Sequence, residues 1–135
     1  MSRAFWIAVA AYLVPTFPLG YLWHLVTFRT RYERLGVYRD QVIIPLGLAS
    51  MLIQAVAFAW LYPRVFSTDR EVWLGSGLQF GVVFGLLAWS FTTLPVAAKY
   101  KITSVRSFMM LESAFTAVQF VIVSPLIALA WRTPV

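Results

Sequence analysis

Gly77-Leu78-Gln79-Phe80-Gly81-Val82-Val83-Phe84-Gly85 sets three glycines four residues apart inside a long apolar run. On a helix, residues four apart lie one above the next on a single face. A face without side chains lets another helix approach backbone to backbone, as small residues do at membrane helix interfaces. Ala88 and Thr92 carry the strip on for two more turns. The stretch reads as the packing spine of a membrane helix bundle. It leaves two partners open for that face, a helix of the same bundle or one from a second copy or partner subunit.

The composition around this spine agrees with a bilayer. The chain has 135 residues, 61% hydrophobic and 12% charged. A soluble domain averages about 45–50% apolar and about 25% charged. The apolar excess falls in four blocks of roughly 20 residues or more, the length that crosses about 30 Å of hydrocarbon. The spans are expected at about residues 3–28, 42–62, 69–98 and 107–131, which uses nearly the whole chain as one integral membrane domain. The fold class that follows is all-α, a four-transmembrane-helix bundle of up-down-up-down topology.

The net charge is +6. In a soluble protein it would point toward nucleic acid. Here the basic residues sit in short connections between apolar blocks, so anionic lipid head groups are the expected partner and nucleic acid is not. Arg29, Arg31, Arg34, Arg39, Lys99 and Lys101 carry this expectation. There is no cysteine, which excludes disulfides, thiol catalysis and cysteine-ligated metal clusters. A single histidine excludes a bis-histidine haem within one chain, and no cofactor or metal is expected.

The first span is about Arg3 to Phe28. Its start resembles a signal peptide, but the apolar run is too long and lacks a small-residue cleavage site, so it is expected to remain in the mature protein. Pro15 and Pro18 each remove a backbone hydrogen bond and predict a kink or an unwound turn. Thr16, Gly20, His24 and Thr27 form a polar-to-small stripe that a bundle helix turns toward its neighbours. In the first connection, Arg29 to Asp40, Tyr32, Leu35 and Arg39 fit one face of a short interfacial helix that Gly36 weakens. A solvated loop resting on head groups is the favoured reading of this segment. In the second span Pro45 suits a first helical turn, and Ser50 and Gln54 share a face. Thr68-Asp69-Arg70-Glu71 matches a capping box, which predicts that the third helix starts near Thr68. The fourth span carries Glu112, Thr116 and Gln119 at helical spacing.

The basic residues also set an orientation. Arg29, Arg31, Arg34, Arg39, Lys99, Lys101 and Arg106 lie on one side, seven against Arg3, Arg64, Arg70 and Arg132 on the other. The richer side is expected in the cytoplasm, with both termini outside an inner (plasma) membrane. Trp6, Trp60, Trp73 and Trp131 mark the less basic end of all four spans, one each, as one half of an aromatic belt.

Glu112 is the first candidate for chemistry. A carboxyl at mid-bilayer costs about 2.5–3.5 kcal/mol on insertion scales. Six residues past Arg106, it stands roughly 9 Å into the membrane at 1.5 Å per residue. An intramembrane carboxyl is a functional-site hypothesis by default, against which stands a hydrogen-bonded glutamate gluing helices together. His24 reaches a similar depth from the same side. With Gln54, Gln119, Thr116 and Ser50 these groups define a candidate polar cavity or proton site. They also suit interhelical hydrogen bonds of about 0.6 kcal/mol each. Gly77, Gly81, Gly85 and Gly20 are the helix-packing positions. No phosphate-binding loop, dinucleotide fingerprint, zinc-protease motif or nucleophile elbow is present, so enzymatic activity is not expected.

Gly20-Tyr21-Leu22-Trp23-His24, the basic connection, the glycine-rich third span and Leu111-Glu112-Ser113 together resemble small bacterial four-helix integral membrane proteins of unknown function. The resemblance spans the whole chain and implies a fold and a membrane address. In size and span count the chain is also similar to small multidrug-resistance transporters. Those keep their essential glutamate in the first span, whereas here the first span has no acidic residue and Glu112 is in the fourth. The functional expectation is a protein acting through helix–helix contacts, as a homo-oligomer or accessory subunit. The rival is a small proton-coupled carrier centred on Glu112 and His24.

Overall fold

The computed structural model describes residues 2–133, and every regular element in it is helical. Helix α1 covers Arg3–Tyr21 and continues into a π-helical segment, Leu22–Thr27. A short helix α2 follows at Arg29–Leu35, then α3 at Ile44–Val65, α4 at Trp73–Lys99 and α5 at Val105–Trp131. The four long helices are each long and apolar enough to cross a bilayer. The protein is a multi-pass integral membrane protein.

Helix α5 is the centre of the bundle. It lies along α4 on one flank and along α1 on the other, and α1 in turn packs on α3. The glycine strip explains the tightest of these contacts. A methyl group on Gly77 would stand 2.8 Å from the Ala128 Cβ, and one on Gly81 would stand 2.6 Å from the Ser124 Oγ. One on Gly85 would meet the Phe120 ring at 3.3 Å. Phe120, Ser124 and Ala128 are themselves four apart, so two strips of i, i+4 register meet face to face. The glycines Gly77, Gly81 and Gly85 thus pack inside this chain. Gly20 is a looser contact, with the end of the Met51 side chain 3.0 Å from where its Cβ would be.

Between α3 and α4 the backbones stay apart and aromatic rings fill the space. Phe58 meets Phe80 and Phe84 edge-on at 5.3 and 5.1 Å, and Tyr62 stacks on Phe66. These rings cover only the half of α3 that follows Gln54. From Gln41 to Ser50 every residue is exposed.

Contacts tie the connections at each end. The Thr133 N–H donates to the Thr68 carbonyl at 3.0 Å, and Arg132 lies over the Trp73 ring at 5.7 Å. At the opposite end the Thr103 N–H and hydroxyl donate to the carbonyls of Leu35 and Arg34, at 3.3 and 2.8 Å.

Three expectations need correction. The first connection is not a solvated loop: its first half is helix α2, with Tyr32 and Leu35 buried. Gly36 does not weaken this helix but ends it, in the left-handed conformation at φ 74° that favours glycine. The capping box at Thr68 does not form, and α4 begins at Trp73 without a side-chain cap. Ser67 takes the local hydrogen bonds instead, accepting from the Asp69 N–H at 3.1 Å and donating to its carboxylate at 3.0 Å. The fourth span starts at Val105 rather than Ser107, because Ser104 is the cap and accepts from the Ser107 N–H at 3.3 Å. Helix α1 runs through Pro15 and Pro18 as regular α-helix, and a π-helical segment follows at Leu22–Thr27.

Candidate functional site

The polar residues of the spans gather around two tyrosines. The first is Tyr12, fully buried in α1. Its hydroxyl donates to the Gln54 Oε1 of α3 at 2.5 Å and accepts from the Gln119 Nε2 of α5 at 2.9 Å. The Gln54 Nε2 donates onward to the Ser50 hydroxyl at 3.2 Å. One line of hydrogen bonds therefore crosses three helices, from the buried Gln119 to the exposed Ser50. The pairing follows from chemistry: amide and hydroxyl groups without water cost several kcal/mol each if left alone in hydrocarbon. A phenol that both donates and accepts can satisfy two amides at once.

The second is Tyr32, which α2 carries back into the bundle. The π-helical turn ends at Phe28, whose carbonyl accepts from the N–H groups of Arg31 and Tyr32. Helix α2 therefore begins directly under α1, and its fourth residue points at α5. The Tyr32 hydroxyl donates to the Glu112 carboxylate at 2.6 Å. Its ring lies 4.9 Å from the His24 ring and stacks on Tyr38, 5.0 Å away and 7° from parallel. His24 also meets Phe115 edge-on at 4.5 Å. Burial pushes the Tyr32 and Tyr38 phenols well above the ordinary tyrosine range, and the adjacent Glu112 carboxyl pushes in the same direction. The phenols stay protonated, so Tyr32 keeps the proton it offers to Glu112.

The six polar residues singled out in the sequence thus divide. Ser50, Gln54 and Gln119 belong to the Tyr12 line, and Glu112 and His24 meet at Tyr32. Thr116 joins neither. It lines an outward groove of about 460 Å³ between α4 and α5, with Gly81, Gly85 and Ser113. The division has a simple cause: α5 is flanked by α1 on one side and α4 on the other, and Thr116 falls on the α4 flank. His24 opens onto a separate cavity of about 400 Å³ that it shares with Gly20, Tyr38 and Arg39.

From sequence, Tyr12 has no assigned role, and Tyr32 has only a place on the face of a short interfacial helix. Tyr12 stands four residues before Thr16 and extends the Thr16–Gly20–His24 stripe back by one turn, a signal that was there to read. Tyr32 needed α2 to be taken as a packed helix. A third tie, from the Trp89 Nε1 to the Ser113 hydroxyl at 2.9 Å, also joins α4 to α5.

No group of metal-ligating side chains large enough to hold an ion occurs among the described residues. No protein-family model, curated protein or solved structure matches the chain.

Proposed function

We propose that this protein works without catalysis, as an assembly unit of the membrane, and that α3 is the surface through which it pairs with a second copy. The observation behind this reading is the uneven cover of the four spans. Only 11% of the most apolar stretch of α3 is buried, against 33% for α1 and for α5. Leu46, Ser50 and Ile53, spaced four and three apart, share a helix face, and Leu46 and Ile53 are 67% and 70% exposed. Ser50 and Gln54 bring polar groups to this uncovered half, where lipid offers no hydrogen bonds.

A second copy suits the surface better than a foreign subunit. Two copies insert with the same orientation under the same charge bias. A two-fold axis along the bilayer normal then sets each residue of α3 against its own equivalent at the same depth. The Gln54 amide keeps one N–H beyond its bond to Ser50, and the Ser50 hydroxyl can both donate and accept, so the pair complements its equivalent.

The chain has no cysteine, which makes the test direct. Single cysteines at Ile53 and, as a control, at Phe91 of α4 (74% exposed) are introduced and oxidised in native membranes. Dimers are expected at Ile53→Cys and not at Phe91→Cys. Equal yields at both positions, or none at Ile53, would overturn the reading.

The carrier reading keeps one specific point in its favour, the convergence of His24 and Glu112 on Tyr32. Glu112→Gln separates the two. The amide still accepts from Tyr32 but releases no proton, so assembly persists under the first reading, whereas proton-coupled flux in reconstituted vesicles ends under the second.

A further inference from the structure

We propose that the cleft between α2 and the first half of α5 is a binding site for one anionic phospholipid, held by its phosphate at Arg31 and Arg34. This goes beyond the general attraction of basic connections for the bilayer surface, and it does not depend on how copies pair through α3.

The cleft has a volume of about 540 Å³ and two ends of different chemistry. Its mouth carries Arg31, Arg34, Thr103, Ser104 and Ser107. The single ion pair among the described residues joins Arg29 to Glu33 at 2.8 Å, so the adjacent acid is taken and Arg31 and Arg34 have no carboxylate. Arg31 rests over the Phe28 ring at 5.6 Å, which holds its guanidinium at the edge of the apolar wall. The Ser107 hydroxyl accepts from Ser104 at 3.1 Å and keeps its own proton to donate. Two unpaired guanidiniums beside the Ser107 hydroxyl donor are a phosphate-binding set.

Below the mouth the walls are Trp23, Phe28, Leu35, Met110, Leu111 and Ala114. Ser104 to Ala114 is ten residues, roughly 15 Å of helix, half of a hydrocarbon core of about 30 Å. The cleft therefore runs from head-group level to mid-membrane, the depth of one leaflet. A free phosphate ion uses only the mouth, whereas a phospholipid with one acyl chain along α5 uses both ends. Helix α2 is pinned over the cleft by Tyr32 on Glu112 and by the Thr103 bonds to Arg34 and Leu35 carbonyls. The substitutions that test the site leave these anchors untouched.

The test uses full-length protein in detergent, titrated with phosphatidylglycerol, phosphatidylcholine or inorganic phosphate and read by native mass spectrometry. Wild type is expected to hold one phosphatidylglycerol per chain in preference to phosphatidylcholine. R31Q/R34Q is expected to bind it about thirtyfold more weakly, the factor for two cations at the membrane surface. A114F, which fills the lower cleft, weakens binding while leaving both arginines. R39Q/K99Q removes the same charge away from the cleft and leaves binding unchanged. Unchanged helical circular dichroism shows that each variant is folded. Equal loss in R31Q/R34Q and R39Q/K99Q, retention in A114F, equal binding of phosphatidylcholine, or phosphate binding as tight as the lipid would each overturn the assignment.

Discussion

Gly77→Ala is the most demanding test of the α4–α5 seam. The added methyl would stand 2.8 Å from the Ala128 Cβ and 3.2 Å from the Ser124 carbonyl oxygen. Neither atom is on a side chain that can rotate away. Carbon atoms rest about 3.5–4.0 Å apart, so the two helices must separate locally by about 0.7 Å. A gap of that size gives up a quarter to a half of each contact along the seam. Overpacking of this kind costs about 1–3 kcal/mol, and the upper half of that range is expected here. Gly81→Ala should cost less, because the Ser124 Oγ at 2.6 Å can swing aside, although the Ser124 Cβ at 3.0 Å cannot. Gly75→Ala meets nothing within 4 Å and gains up to about 1 kcal/mol of helix propensity. The assay is reversible unfolding in mixed micelles with rising dodecyl sulfate, followed by helical circular dichroism. Ala128→Gly in the Gly77→Ala background should recover most of the loss, since it removes the atom that is struck. If Gly77→Ala is no less stable than Gly75→Ala, or if Ala128→Gly fails to rescue it, the seam is not packed as described.

Tyr12→Phe removes a shared hydroxyl that serves both Gln54 and Gln119; two membrane hydrogen bonds at about 0.6 kcal/mol each predict a loss of about 1 kcal/mol in the same unfolding assay. Glu112→Leu leaves the Tyr32 hydroxyl without its acceptor and should cost about 1–2 kcal/mol, whereas Glu112→Gln should cost under half of that. Gly36→Ala forces a Cβ into a left-handed position, and about 1 kcal/mol of loss with faster proteolysis after α2 is expected. The folded phenols of Tyr32 and Tyr38 titrate above their unfolded value. Their contribution is therefore intact below about pH 10 and is lost as pH rises through the higher folded values. Tyrosinate absorbance should show a late component that Tyr32→Phe reduces.

Much of the fold was legible because the bilayer imposes length on a helix. The four spans lie within a few residues of where apolar run length put them, since nothing shorter crosses and nothing polar continues. The end points were harder. Thr68-Asp69-Arg70-Glu71 has the letters of a capping box, but the segment is held in another shape, by Ser67 on the Asp69 N–H and by Thr133, 65 residues away, on the Thr68 carbonyl. Local pattern cannot register such a rival. Helix α2 is hard to read because seven residues have little helical stability of their own. Its stability comes from Tyr32 and Leu35 docking on α5, a tertiary term. The candidate polar residues were found by type and depth, yet their partners were not. Spacing along one helix reports which residues share a face, and whether that face meets α1 or α4 is decided by packing.

The two hubs and the uncovered half of α3 follow from one constraint. In hydrocarbon each amide, hydroxyl or carboxyl must find a partner within the protein. Gln119 and Glu112 find tyrosines, and Trp89 finds Ser113. Ser90 and Thr92, although exposed, donate to the carbonyls of Leu87 and Ala88 on their own helix and need nothing else. Ser50 and Gln54 are different. Gln54 has spent its carbonyl on Tyr12 and one N–H on Ser50, which leaves an amide N–H and a serine hydroxyl proton at the exposed end of the line. This line runs outward, ending at Ser50 on the exposed half of α3. A neighbour that presents an acceptor at the same depth closes it, and the α3 of a second copy carries such an acceptor in the Ser50 hydroxyl oxygen. The same accounting predicts that Gln54→Leu, which removes the open end but also the Tyr12 acceptor, lowers both dimer yield at Ile53→Cys and stability. Ser50→Ala leaves Tyr12 satisfied and should lower the dimer yield alone.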